Sequence, residues 1–132
     1  MPQKLIYIGQ NNDLALNIKK HLSIKGLALE YFLEIDAAKE ALKNGHIGAI
    51  IDVRNQNTYS QEDIINEHYQ KIIDIRNKNV FPVMGILSGE EEQGYNFQNE
   101  QKGLWISYTP IDKRDIDTFV KYALGYLNKS HN

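Results

Sequence analysis

Residues 47–52 read Ile-Gly-Ala-Ile-Ile-Asp, an unbroken apolar or small run closed by a carboxylate. A strand with one wet face alternates polar and apolar side chains. This run leaves neither face polar, so residues 47–51 are expected to form a central strand of a parallel sheet covered by helices on both sides. Asp52 then stands at the carboxyl end of that strand. In open α/β sheets that end faces the crevice where ligands bind.

Working towards the N-terminus, Asn44-Gly45 closes a short helix beginning at Asp36, with Ala37, Ala38, Ala41 and Leu42 on one face. Residues 27–33 form a second strand. Before it, Leu14, Ala15, Ile18 and Leu22 repeat at helical spacing, with Asn11 and Asn12 as capping residues and Gly26 as the stop. Residues 4–8, Lys-Leu-Ile-Tyr-Ile, make the first strand, ended by Gly9.

Towards the C-terminus, a polar loop over 54–59 precedes Ser60 and Asp63, a pair that resembles a capping box. Ile64, Ile65, His68, Tyr69, Ile72 and Ile73 then mark a long helix to about Asn77. Residues 80–87 form the fourth strand, with the donorless Pro82 at its start or beside a bulge. Residues 88–102 hold three glutamates and two glycines, and their large apolar residues are Tyr95 and Phe97. A short or irregular helix is expected there. Residues 104–108 make the fifth strand, closed by Thr109-Pro110. Asp112 caps the last helix, whose stripe is Ile116, Phe119, Val120, Ala123, Leu124 and Leu127, and the polar tail 128–132 is expected to fray.

Strands alternating with helices give a doubly wound five-stranded parallel sheet, and the flavodoxin-like (βα)5 arrangement with strand order 2-1-3-4-5 is the expected topology. At 132 residues the chain fits one domain, 1–132, with no internal repeat or linker. A net charge of −2 offers no basic field, so nucleic acid is not an expected direct partner. With no cysteine there is no disulfide, thiolate nucleophile or cysteine metal site, which fits a reducing compartment. No apolar run approaches the roughly 20 residues that span a bilayer. A cytoplasmic location without membrane contact is expected.

Four loops converge at the carboxyl ends of the expected strands: residues 9–13, 52–54, 88–90 and 109–110. Here the chain resembles a response-regulator receiver domain along nearly its whole length. An aspartate ending the central apolar strand, Asp52, matches the family's phosphoacceptor. Residues 82–88 are similar to the fourth strand with its terminal hydroxyl residue at Ser88, although, counted from Pro82, Leu87 stands as near that position. Tyr108-Thr109-Pro110 takes the place of the family's Lys-Pro turn.

The chain departs from that pattern where the chemistry sits. The acidic pair that holds Mg²⁺ in the family falls on Gly9 and Gln10, both neutral. The lysine before the proline is Thr109, and the Met-Pro and glycine turn after the phosphoacceptor is missing. Phosphoryl transfer runs on positioned positive charge, and Mg²⁺ demands carboxylate oxygens in near-octahedral geometry. Asp52 with Asp13 a turn away is a poor metal site. The plainer reading makes Asp52 a carboxylate that caps nearby backbone donors or pairs with Arg54.

Nothing else in the sequence marks an enzyme. The four histidines, His21, His46, His68 and His131, show no metal-ligand spacing, and no phosphate-binding glycine loop or nucleophile elbow is present. His68 reads as a half-buried helix residue. The resemblance places dimer and partner contacts on the face of the fourth helix, fifth strand and last helix, where Tyr95, Phe97, Trp105 and Tyr108 cluster. Interface and core are equally open for Trp105 and Tyr108.

The expected function is a phosphorylation-independent protein-interaction or dimerisation module, a pseudo-receiver without cofactor, acting alongside or within a larger regulatory protein. The alternative is a phosphoryl-accepting switch on Asp52, helped by Gln10, Asp13 or Arg54. Mg²⁺ belongs to that alternative alone. A third reading is a flavodoxin-like small-molecule site on the 9–12 loop, where backbone donors could hold an anion.

Overall fold

The structure is a computed structural model that describes residues 3–54, 61–77, 80–88, 96–99, 103–108 and 113–130. In chain order its elements are β1 (Lys4–Ile8), α1 (Asn12–Ile24), β2 (Ala28–Phe32), α2 (Ile35–Leu42), β3 (Gly48–Asp52), α3 (Gln61–Arg76), β4 (Val83–Leu87), β5 (Asn96–Asn99), β6 (Leu104–Tyr108) and α4 (Lys113–Ser130).

Six strands form one sheet in the order β2-β1-β3-β4-β6-β5. The five parallel strands follow the expected 2-1-3-4-5 order, with β6 as the fifth of them. The sequence 47–52 sits where its composition required, in the middle of the sheet between β1 and β4, with every residue of β3 buried.

Two cores flank the sheet. Ile6, Ile8, Ala49, Ile51, Val83 and Ile106 meet Ile35, Leu42, Ile65 and Ile72 of α2 and α3 on one face. Leu5, Tyr7, Ile50, Met84, Ile86 and Trp105 meet Ile18, Leu22, Phe119 and Ala123 of α1 and α4 on the other. Alternate residues of each strand go to opposite sides, which is why a strand with two covered faces must be apolar throughout. Gly85 of β4 lets α3 come close, because a Cβ there would run into Ile65.

Local signals explain most boundaries. Asn11 caps α1 by accepting from the Leu14 N–H at 2.9 Å, and Gly26 at φ +76° ends the following turn. Asn77 at φ +52° ends α3. Pro82 lies just before β4, outside the ladder's donors, and its carbonyl accepts from the Ala49 N–H. The expected caps Ser60 and Asp112 lie outside the described residues.

Three expectations are corrected. Residues 96–99, placed in a short or irregular helix, form β5, antiparallel to β6 at the sheet edge. The only large apolar residues of that segment, Tyr95 and Phe97, are two positions apart, which is the strand period and gives a helix no stripe. α4 continues through Ser130 instead of fraying at 128, and no proline or glycine interrupts residues 126–130. Trp105, grouped with the interface aromatics, is 4% exposed and belongs to the core, edge-on to Phe119 at 6.3 Å and 4.9 Å from the Tyr122 ring. A ring of that size on a strand beneath α4 is worth more to the fold inside than outside.

Candidate functional site

The carboxyl ends of β1, β3 and β4 bring Gly9, Asp52 and Ser88 to one end of the sheet. Asp52 is 6% exposed, so its charge must be met by neighbours. Arg54 meets it twice: Nε donates to Oδ1 at 2.8 Å and Nη2 to Oδ2 at 2.6 Å. The Arg54 backbone N–H adds a bond to Oδ1 at 3.1 Å. The Tyr7 hydroxyl donates to Oδ2 at 2.7 Å. Both oxygens of the carboxylate therefore each accept two hydrogen bonds from the chain itself.

The sign of the electrostatics follows. Burial works to raise the Asp52 pKa, but the Arg54 and Tyr7 hydrogen bonds, with the Arg54 charge, outweigh it and hold the carboxyl below the usual range. Burial first, then the bond to Asp52, push the Tyr7 phenol far upward, so it stays a donor. The Asp52 carboxylate holds Arg54 above its already high value. The result is a two-point ion pair with a tyrosine clamp.

Gly9 completes the arrangement by having no side chain. A Cβ there would lie 2.8 Å from Asp52 Cβ and 3.1 Å from the Asp52 carbonyl oxygen. An acidic residue at this position would displace the end of β3. Gln10 is exposed. It lines a cleft of about 570 Å³ with Asn11, Asn12, Asp13, Asp52 and Arg54, the crevice that this kind of sheet offers to ligands. These residues do not fit a Mg²⁺ ion: the one buried carboxylate is consumed by Arg54, and no group of three or more His, Cys, Asp or Glu among the described residues could hold a metal.

Ser88 is half-buried. Its N–H donates to the buried Gln61 Oε1 at 2.9 Å, and its hydroxyl donates to the Arg54 carbonyl at 3.4 Å. The serine thus braces the loop that carries Arg54. Leu87, the other residue near the hydroxyl position, is buried in the core. Thr109 and Tyr95 lie outside the described residues. The backbones of Phe97 and Trp105 are register partners across β5 and β6, and that of Tyr108 pairs with Leu87. The structure therefore gathers Asp52, Ser88 and Gly9, and it sets Phe97 and Trp105 apart from them on β5 and β6.

Sequence reasoning missed Tyr7. Its signal was a tyrosine inside an aliphatic strand, since a buried hydroxyl needs a partner. Its ring is fully buried and stacks on Tyr31 at 5.4 Å. His68 is half-buried beside a second cleft of about 250 Å³ shared with Asp52 and Asp36. Burial holds its pKa below the usual imidazole range.

The chain's fold is that of response-regulator receivers. A response regulator receiver protein from Sinorhizobium medicae WSM419 superposes with a TM-score of 0.65 at 18% identity, over 94% of this chain and 95% of that one. A two-component response regulator from Clostridium difficile gives 0.64 at 15%, over 96% and 98%. A response regulator receiver modulated diguanylate cyclase from Pelobacter carbinolicus gives 0.62 at 15%, over 98% and 97%. No family model and no curated protein matches the sequence. At such identities the likeness is one of architecture, and the side chains at the carboxyl edge must speak for the chemistry.

Proposed function

We propose that this chain is a signalling domain of receiver architecture that works without phosphorylation, as a protein-interaction or dimerisation module. One observation carries the reading: both oxygens of Asp52 are held by Arg54 and Tyr7. A phosphoryl acceptor needs a free carboxylate oxygen for in-line attack, a metal bridging the phosphate, and a cation over the transferring group. Here the carboxylate is paired, the acidic-pair positions are Gly9 and Gln10, and the nearest cation, Arg54, is spent on Asp52.

In this reading Asp52 keeps its place as a structural carboxylate that fixes the loop after β3. No cofactor is required, and the domain has no catalytic role. Its partner is a protein or a second copy, and it serves alone or inside a larger regulator. The cytoplasmic location expected from the composition goes with it. Phe97, on the edge strand, remains a surface candidate together with Tyr95 and Tyr108, whereas buried Trp105 does not.

The second reading, a phosphoryl-accepting switch on Asp52, has one observation in its favour: the carboxylate borders a cleft at the carboxyl end of β3. Titration with Mg²⁺ and beryllofluoride, followed by amide NMR, separates the two. No shifts around Asp52 at millimolar concentrations are expected. Saturable shifts that vanish in Asp52→Ala, with the variant still folded, would replace the first reading by the second.

A further inference from the structure

The two edges of the parallel sheet are finished differently. At one, the chain lays β5 against β6; at the other, β2 pairs with β1 on one side and with no strand among the described residues on the other. All residues of β3 and β4 are buried, whereas four of the five in β2 are only partly covered. The Ala28 N–H donates to the Gln3 carbonyl at 3.0 Å, and the Phe32 carbonyl accepts from the Gly9 N–H at 3.0 Å. Ala28, Glu30 and Phe32 therefore turn their backbone groups towards β1. Alternation along a parallel strand turns those of Leu29, Tyr31 and, just past its end, Leu33 towards the open side.

Open strand edges are usually guarded by a proline, a lysine, a bulge or an inward-pointing charge. β2 has no proline and no lysine, and its register with β1 is unbroken. Its one charge, Glu30, is held by Lys4 Nζ at 3.4 Å and His46 Nε2 at 3.0 Å. Leu33 is 58% exposed. An unguarded ladder that ends in an exposed leucine is a surface that takes another strand.

The residues of the edge select that strand. A two-fold axis at Tyr31, the middle of the three outward-turned residues, sets two copies of β2 antiparallel. Across it Tyr31 opposes Tyr31, Leu29 opposes Leu33, and Ala28 opposes Glu34. Aromatic and aliphatic cross-strand pairs of this kind are stabilising. Glu30 opposes Phe32, and its charge is already met. Lys25, before the strand, is 41% exposed beside Asp117 and comes to the same end of the ladder as the exposed Glu34 and Asp36. The edge is thus complementary to itself in shape and in sign.

We infer that two copies of this chain join through β2, antiparallel about Tyr31, so that one sheet runs across both. The inference rests on the reading of the chain as a dimerisation module and gives it a surface, at the sheet edge opposite β5. A helix is disfavoured as the occupant, because the edge presents a row of backbone donors and acceptors. A peptide of one charge sign is disfavoured, because the edge is basic before the strand and acidic after it.

The test uses the full chain without Mg²⁺ or phosphodonor. Sedimentation velocity from micromolar to millimolar protein should show a monomer–dimer equilibrium. In a mixture of ¹³C,¹⁵N-labelled and unlabelled chain, isotope-filtered NOEs should join Leu29 to Leu33. The Leu29, Tyr31 and Leu33 amides should gain exchange protection as concentration rises. Leu33→Lys and Glu34→Lys, both at exposed positions, should weaken the dimer with far-UV circular dichroism unchanged, Leu33→Lys by about tenfold or more. Glu34 makes no side-chain cap bond to α2, so its replacement removes no helix cap. Phe97→Ala should leave the association unchanged. The inference is overturned by a monomer at millimolar concentration, by a dimer indifferent to both lysine variants, or by a dimer lost in Phe97→Ala, which would move the contact to β5. A monomer throughout would leave the wider reading as a protein-interaction module standing. Beryllofluoride shifts at Asp52 would remove the phosphorylation-independent reading and leave the dimer standing, so the two failures are distinguishable.

Discussion

The Tyr7 hydroxyl donates to Asp52 Oδ2 at 2.7 Å, joining two residues 45 positions apart in the sequence. The contact links β1 to β3 through side chains, where the backbones already pair in parallel as neighbours. With Arg54 it makes a closed hydrogen-bonded unit at the end of the central strand, beside the cleft lined by Gln10, Asn11, Asn12 and Asp13. Such units are stable when every member is satisfied and costly when one is removed.

Tyr7→Phe leaves the ring stack with Tyr31 in place and removes a single donor. The variant should lose about 1–2 kcal/mol of stability, because a buried charged acceptor gives up one of its bonds. Urea unfolding at neutral pH measures the loss. A carboxyl ¹³C titration should place the Asp52 pKa higher than in the parent, since one of the causes depressing it is gone. An unchanged pKa would mean that the hydroxyl does not act on the carboxylate.

Arg54→Met should cost more, about 2–4 kcal/mol, because it strands the Asp52 charge in a site that is 6% exposed. The upper end is not expected, since the Arg54 side chain is 25% exposed and partly screened. Asp52→Asn in the Arg54→Met background should restore part of the stability. A double-mutant cycle by chemical denaturation reads the coupling, and strict additivity would show that the two residues do not interact.

The pH dependence has a defined sign. The Asp52 carboxyl has a lower pKa folded than unfolded, so its contribution is fully present above the unfolded value of about 3.9 and is lost as pH falls through the folded value. The stability advantage of the parent over Asp52→Asn should therefore be constant from pH 7 to 5 and shrink below about pH 4. Unfolding midpoints across that range test it, and an advantage that grows on acidification would contradict the ion pair.

Gly9→Asp restores a carboxylate to the acidic-pair position. It should destabilise the chain by about 1–3 kcal/mol through overpacking, because a Cβ there meets Asp52 Cβ at 2.8 Å. It should also fail to create a Mg²⁺ site, since the Asp52 oxygens stay with Arg54. Thermal unfolding and Mg²⁺ titration calorimetry check both parts.

Trp105→Ala should unfold or destabilise the chain by about 3–5 kcal/mol, as expected for a buried ring of this size, and should not act as a clean interface variant. In the parent, tryptophan emission should be blue-shifted and slow to quench with acrylamide, because the ring is 4% exposed. Fast quenching would return Trp105 to the surface.

The sequence by itself determined most of the alternation of strands and helices, for which 2-1-3-4-5 was the expected order of the five parallel strands. Those features follow from local spacing: an apolar run with no polar face for β3, four-residue stripes for α1, α3 and α4, and the Asn11 and Gly26 signals at the ends of α1. It also placed Asp52 at the sheet's carboxyl edge and offered Arg54, two positions away, as a partner beside nearby backbone donors. Only the tertiary structure decided the rest, because the deciding contacts join distant parts of the chain. Tyr7 reaches Asp52 because β1 lies beside β3, and Gly9 is excluded from bearing a side chain by the same adjacency. Residues 96–99 became a strand because the β6 edge offered backbone partners, which the two-residue spacing of Tyr95 and Phe97 could suggest but not supply. Trp105 went inside because α4 closes over β6, bringing Phe119 and Tyr122 against the ring.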